Sequence, residues 1–286
     1  MRRRTFIQSL SFAAIIPSFT SIGSLLQDPD EAICLAKFEF AKAKGLAKKP
    51  ILEVMVELGN TFLGTEYAAH TIEEPGEEHL VINLRTLDCV LFYENTFAIS
   101  RCIKKGKMTF DDFKKEIQFI RYRDGIINGY PSRLHYTSDA FFNDEKKGLV
   151  RNITKQLGGV PYKKKINFMT THIDSYRQLK DNPEFVKIIA AQEEEISKRE
   201  MYYIPKEKLT EVEKNVPAGC IVGITTNIEG MDIAHTGITV HVDNRLHFMH
   251  APNVGHKVMI TEKSFADYLA GIKKQTGIML VQPLEL

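Results

Sequence analysis

The stretch Thr86-Leu87-Asp88-Cys89-Val90-Leu91-Phe92-Tyr93-Glu94 sets a thiol directly behind a residue able to cap a helix. Leu80 to Leu84 before it is a short apolar run with β-branched members, read as a strand pattern, and Leu91, Phe92, Phe97, Ala98 and Ile99 after it recur at helical spacing. Cys89 therefore belongs in the first turn of a helix. Unpaired amides and the positive end of the helix dipole there favour a thiolate, the form a nucleophile needs. The neighbouring carboxylate of Asp88 opposes that ionisation, so a histidine partner is expected. The other reading of Cys89 is a buried small hydrophobe.

His235, His241, His247, His250 and His256 fall within one short stretch, whereas the rest of the chain holds only His70, His79, His135 and His172. Three explanations fit such density: a zinc site, although no H-E-x-x-H spacing is present; a base and its orienting partner for Cys89; or histidines on an exposed sheet edge. Between these two regions the segment from Arg123 to Asp139 loses periodicity. Gly125, Gly129 and Pro131 punctuate a loop that carries Tyr130, Arg133, His135, Tyr136 and Asp139. Long loops of this composition are commonly functional, and a planar guanidinium such as that of Arg133 can clasp a carboxylate with two bonds. The alternative is a structural arginine paired with Asp139 or another acid.

The elements that must position these groups divide into two halves. Asp28-Pro29 opens a helix to Lys44, and a second runs from Pro50 to Leu63, where Gly64 ends it. The Cys89 helix follows, then one capped by Thr109. Residues 139 to 157 read as helix interrupted at Gly148, Ile166 to Thr171 as strand, and Asn182 to Arg199 as a long helix. From there the period changes to two. Cys220 to Thr225, Ala234 to Val242, Leu246 to His250, Val258 to Ile260 and Ile278 to Val281 read as strands, with Asp243-Asn244 as a turn and a short helix from Ser264 to Ile272. Helices first and an antiparallel sheet afterwards define an α+β layout, and residues 28–286 contain no linker-like boundary, so a single domain is expected.

At 286 residues with 43% hydrophobic side chains the chain supports a sizeable core. Its net charge of +2 comes without a long basic run, which argues against a nucleic-acid partner. Residues 1–23 read as an export signal: Arg2-Arg3-Arg4, an apolar run from Phe12 to Pro17, then small residues from Ser18 to Gly23. Arg3-Arg4-Thr5-Phe6-Ile7 also resembles a twin-arginine signal, and the apolar run is too short to anchor the protein in a bilayer. Cleavage there leaves 35 Lys+Arg against 36 Asp+Glu, a net charge of −1. An exported, periplasmic protein is expected, with no stable membrane anchor. The spacing of Cys34, Cys89, Cys102 and Cys220 does not suggest a disulfide framework.

With these elements in place, His235-Thr236-Gly237-Ile238 at a strand start and His250-Ala251 at the end of the returning strand resemble the C-terminal motif of the NlpC-type cell-wall cysteine hydrolases. Leu87-Asp88-Cys89-Val90 resembles their nucleophile motif. Gly64-Thr65-x-Tyr67 upstream, and Ser132-Arg133-Leu134-His135-Tyr136 with Ser138-Asp139 in the middle, bring the chain closest to the N-acetylmuramoyl-L-alanine amidase-like branch of that papain-like superfamily, from about residue 50 onward. The resemblance implies a papain-like, NlpC-type α+β fold in which a helix bearing the nucleophile at its N-terminus packs on the sheet. It implies Cys89 as nucleophile, His235 as general base within hydrogen-bond reach of the sulfur, His250 as orienting residue and Tyr67 beside the oxyanion. Arg133, His135, Tyr136, Asp88 and Thr236 would contact substrate. His235 and His250 are 15 positions apart, longer than usual in that superfamily, which leaves His247 as a competitor for the third role. Gly219-Cys220 stands where many relatives have Gly-Asp.

The implied activity is hydrolysis of the bond between N-acetylmuramic acid and L-alanine in peptidoglycan fragments, with no metal and no cofactor. The rivals are a D-glutamyl-diamino acid endopeptidase of the same superfamily, a zinc amidase using the histidine cluster, and a muropeptide-binding module without catalysis.

Overall fold

The computed structural model describes residues 28–286, so the export-signal reading of residues 1–23 lies outside the described residues. The first helix, α1 (Pro29–Ala43), starts where Asp28 accepts the amide of Asp30 at 2.9 Å and a proline occupies the first position. Helix α2 (Ile51–Asn60) buries Ile51, Val54, Met55 and Leu58. Both pack around α3 (Cys89–Lys105), which Asp88 caps by accepting the Leu91 amide at 2.8 Å and Gly106 ends with φ +66°. Residues 91–103 of α3 are buried all round, charged side chains included.

A buried charge is tolerated only when paired. Glu94 accordingly accepts from Arg121 at 2.8 Å, and Arg101 donates to Glu116 at 2.5 Å, so that α3 supplies the acid of one pair and α4 (Phe110–Arg121) the acid of the other. Helix α5 (Thr137–Lys146) follows, and Gly148 at φ +71° turns the chain into strand β1 (Val150–Asn152). The expected helix over 139–157 is thus cut at the glycine, and its second half becomes an edge strand and turns. Next come β2 (Val160–Pro161), α6 (Phe168–Thr171), α7 (Arg177–Lys180) and α8 (Pro183–Lys198). Ile166 to Thr171, read as a strand, is a single bridge from Ile166 to Gly230 followed by α6. Leu80 to Leu84 is extended but unpaired, because the main chain there serves side chains: Asp30 accepts the Leu84 amide, and Asn95 donates to the Asn83 carbonyl.

The remaining elements are β3 (Tyr202–Pro205), α9 (Leu209–Val212), β4 (Ile221–Thr226), β5 (Ile233–Val242), β6 (Arg245–His250), β7 (Met259–Ile260), α10 (Phe265–Ala270) and β8 (Gln275–Pro283). The strands form an antiparallel sheet in the order β2-β3-β8-β4-β5-β6-β7, with β1 also on β8. Asp243 and Asn244, at φ +49° and +61°, make the tight turn between β5 and β6. The chain is therefore α+β, with its helical part on an antiparallel sheet.

Strand alternation gives the sheet two unlike faces. One carries Ile221, Ile238, Val240, Met249 and Val281 into the core shared with α1 to α4. The other carries Val222, Ile224, Leu246, Phe248, Ile278 and Leu280 against Phe265 and Leu269 of α10. Gly237 lies between them for a steric reason: a Cβ there would stand 2.3 Å from the Met249 carbonyl and 2.7 Å from the Phe248 ring. The missing side chain lets that ring sit where it meets His235 edge-on, 5.7 Å between centroids. Among the described residues no helix is long and apolar enough to cross a membrane.

Candidate active site

Cys89 is the first residue of α3, half-buried, and its own amide and the amide and hydroxyl of Thr236 face the sulfur. Thr236 Oγ1 is buried and makes no closed hydrogen bond, so it remains available to a sulfur that becomes charged. These donors favour the thiolate, yet burial and then the Asp88 carboxyl dominate and push the thiol up to about 11. The resting group is a neutral thiol. The helix dipole does not win here, because its effect is smaller than the cost of placing a bare charge in a dry site.

His235 lies one residue before Thr236, at the start of β5, beside a register shift between Ile224 and Thr225 of β4. Its side chain occupies the opposite sheet face from that of Thr236, where Nε2 lies 2.7 Å from Nδ1 of His250. His250 is 2% exposed and stacks on Phe248 at 4.6 Å. Burial pushes His235 down to about 4; burial and then the charge of His235 push His250 down to about 3. Two neutral imidazoles therefore share one hydrogen bond. Among the described residues no hydrogen bond joins the Cys89 sulfur to either ring, and His235 Nδ1 is without a partner. The expected direct contact is replaced by adjacency through Thr236.

The other histidines of the cluster disperse. His241 bonds the Val216 carbonyl at 2.9 Å, and His247, on the helix-facing side of β6, bonds the Thr261 carbonyl at 2.8 Å. The ring joined to His235 is that of His250, not His247. No three His, Cys, Asp or Glu side chains are gathered as a metal would require among the described residues.

Tyr67 is held by its amide on the His256 carbonyl at 2.9 Å, and its hydroxyl is near enough to Cys89 and Asp88 that burial, followed by their charges, pushes it up. Asp88 accepts the Leu91 amide at 2.8 Å and caps α3.

The loop from Arg123 to Asp139 is packed, and the role expected of Arg133 is corrected. The residue is 6% exposed, and its guanidinium pairs with Glu73 at 2.8 Å and Glu78 at 3.2 Å and lies 4.9 Å over the Tyr130 ring. Two of the chain's own carboxylates already occupy it. Asp139 goes to Arg123 and Arg199 instead. The Tyr136 hydroxyl donates to Glu193 at 2.6 Å and accepts the Met169 amide at 2.8 Å, so it too is engaged, while His135 bonds the Tyr130 carbonyl at 2.9 Å and is pushed down to about 3 by burial.

What these rings do enclose is a cavity of about 290 Å³, completed by His70, Phe168, Tyr176, Arg177, Asp232 and Ile233. Sequence reasoning missed Phe168, Tyr176 and Asp232. Their one visible signal is the aromatic spacing of Phe168, His172 and Tyr176.

The fold and site together define an α+β protein with a cysteine at a helix start against a histidine-bearing strand. Residues 57–278 match the model of the AmiA-like, N-acetylmuramoyl-L-alanine amidase-like family, and the chain belongs to that family. A solved N-acetylmuramoyl-L-alanine amidase from Bacteroides uniformis ATCC 8492 is 34% identical, over 82% of this chain and 98% of that one, with a TM-score of 0.78. A candidate xylanase from Bacteroides fragilis is 36% identical over 79% of this chain and 99% of its own, with a TM-score of 0.75. Protein LPG0564 from Legionella pneumophila str. Philadelphia 1, 20% identical with a TM-score of 0.67, over 89% of this chain and 97% of its own, shares the fold. A search of curated proteins finds no match.

Proposed function

We propose that this protein is an exported cysteine amidase of peptidoglycan turnover, on an NlpC-type papain-like scaffold, that cuts the amide between N-acetylmuramic acid and L-alanine. The single observation that carries the reading is the meeting of Cys89, at the start of α3, with Thr236, whose neighbour His235 is bonded to His250. In this reading His235, which makes no hydrogen bond to the sulfur in the free protein, takes the thiol proton through its free Nδ1 once bound substrate tightens the site, as the sulfur attacks the lactyl carbonyl. The oxyanion that forms is met by the Cys89 amide and the Tyr67 hydroxyl. The imidazolium then protonates the leaving L-alanyl amine, and water, deprotonated by the same ring, releases the acyl group from the sulfur.

Because thiol and imidazole rest neutral, the ion pair forms only along the reaction, when the oxyanion donors share the negative charge. The family and the Bacteroides uniformis relative support the amidase class and the bond. Digestion of defined muropeptides followed by mass spectrometry tests it. Release of the intact stem peptide from N-acetylmuramic acid is the expected product, and fragments ending in D-glutamate would hand the enzyme to the endopeptidase reading. Iodoacetamide should abolish turnover and a chelator should leave it intact; the reverse pattern would favour the zinc reading.

A further inference from the structure

The cavity of about 290 Å³ is bounded by His70, three residues beyond Tyr67, and by Ile233, two residues before His235, so two of its walls are continuous in the chain with residues of the candidate centre. We infer that this cavity is the saccharide subsite, taking the pyranose ring of the substrate rather than its peptide; the inference rests on the muropeptide reading above.

Its walls are the rings of Tyr130, Tyr136, Phe168 and Tyr176, with the His135 imidazole between them. Aromatic faces suit the C–H faces of a sugar, which stack on them without needing charge. The volume is of the order that one small cyclic ligand fills. Apart from Arg177 on the rim, the polar groups within it are acceptors or neutral. Asp232 is 2% exposed, and burial raises its carboxyl above the ordinary range while it accepts the Ser138 amide at 2.7 Å. His135 is neutral. Such groups answer sugar hydroxyls and an N-acetyl amide.

A stem peptide offers carboxylates, and the cation of the lining, Arg177, stands on the exposed rim and not among the rings. Arg133 is bound to Glu73 and Glu78, and Arg177, on the exposed rim, donates to the Glu74 carbonyl. Glu73 is paired with Arg133 and Asp232 accepts the Ser138 amide, so neither supplies a counter-charge to a carboxylate. The interior of the cavity therefore offers no counter-charge to a peptide carboxylate and suits the neutral ring.

Two half-buried walls, Phe168 and Tyr176, are open to substitution without removing a core residue. Kinetics would compare two substrates with the same stem peptide and the same scissile amide, one bearing N-acetylmuramic acid and the other only its lactoyl group. Tyr176→Ala and Phe168→Ala should each lower kcat/KM about tenfold on the first and leave the second nearly unchanged, since an aromatic stacking contact carries about that much. Equal losses on both substrates, or none on either, would overturn the subsite. Binding separates this from the choice of bond: in Cys89→Ala protein, the methylamide of N-acetylmuramic acid should shift NMR signals of Phe168 and Tyr176, and the free stem peptide should not. Shifts with the peptide alone would overturn the inference whichever bond the enzyme cuts. Shifts with the sugar would uphold it even if mass spectrometry placed the cut elsewhere.

Discussion

Nε2 of His235 lies 2.7 Å from Nδ1 of His250, and that one contact couples the tautomers of the two rings, since one must donate and the other accept. For the free Nδ1 of His235 to carry a lone pair, Nε2 must hold the proton and donate it to His250, which is then an acceptor. A side chain that accepts at that position preserves the arrangement. His250→Asn, presenting an amide oxygen, should keep more activity than His250→Ala, and His235→Ala should lose about 10² to 10⁴ in kcat. Equal rates for the two His250 variants would show that the contact does not orient His235.

The pH dependence follows from two neutral groups. His235 accepts a proton only while unprotonated, and burial has lowered it to about 4, so the acid limb of kcat/KM should fall near pH 4 instead of near the ordinary imidazole value of 6.5. Cys89, pushed up to about 11, should alkylate slowly at neutral pH and about tenfold faster per unit of pH until that value is reached. An acid limb near 6.5, or a fast alkylation that is flat above pH 6, would mean a thiolate-imidazolium pair at rest.

The same shifts bear on stability. Folded His235, His250 and His135 are held below the 6.5 of an unfolded imidazole, so between 6.5 and about 4 the unfolded chain binds more protons. Stability must therefore drop as pH falls through that window. Melting temperatures that stay level from pH 7 to pH 4.5 would contradict the burial of these rings.

Thr236→Val keeps the shape of the side chain and removes the hydroxyl beside the sulfur. The buried donor that would meet the charged sulfur is lost, which costs about 1 kcal/mol, so kcat/KM should fall roughly five- to tenfold and alkylation should slow with it. Unchanged alkylation would place the hydroxyl outside the sulfur's surroundings.

The helix start at Cys89 was legible because capping is local: an aspartate, a cysteine and then apolar spacing specify it within a few residues. The β5-β6 hairpin was legible for the same reason, its turn residues and alternation lying together in the chain. The partners of Arg133 were not. Glu73 and Glu78 sit in an acid-rich stretch that reads as solvated, and only the packing of the segment around residue 78 against the 123–139 loop brings them to the guanidinium. Strand periodicity puts His235 and Thr236, adjacent in sequence, on opposite faces of one strand, but it does not reveal which partner each meets there. The cavity was illegible because its walls come from distant segments that only the fold assembles.

Arg133 gives the sharpest test of what the structure changed. Read from sequence, Arg133→Ala should impair turnover of carboxylate-bearing substrates and leave the fold alone. With the residue 6% exposed and its guanidinium bound to two glutamates, the order reverses. Its removal strands Glu78, itself only 6% exposed at its side chain, without a counter-charge, and breaking a buried pair in this way costs about 3 to 5 kcal/mol. The stacking over Tyr130 is lost as well. The melting temperature of Arg133→Ala should therefore drop by several degrees, since each kcal/mol moves a chain of this size by roughly 2 to 4 °C. Whatever protein remains folded should alkylate at Cys89 normally and turn over with near-normal kcat/KM at low temperature. A variant that melts like the parent but has lost ten- to a hundredfold in kcat/KM would return Arg133 to substrate recognition.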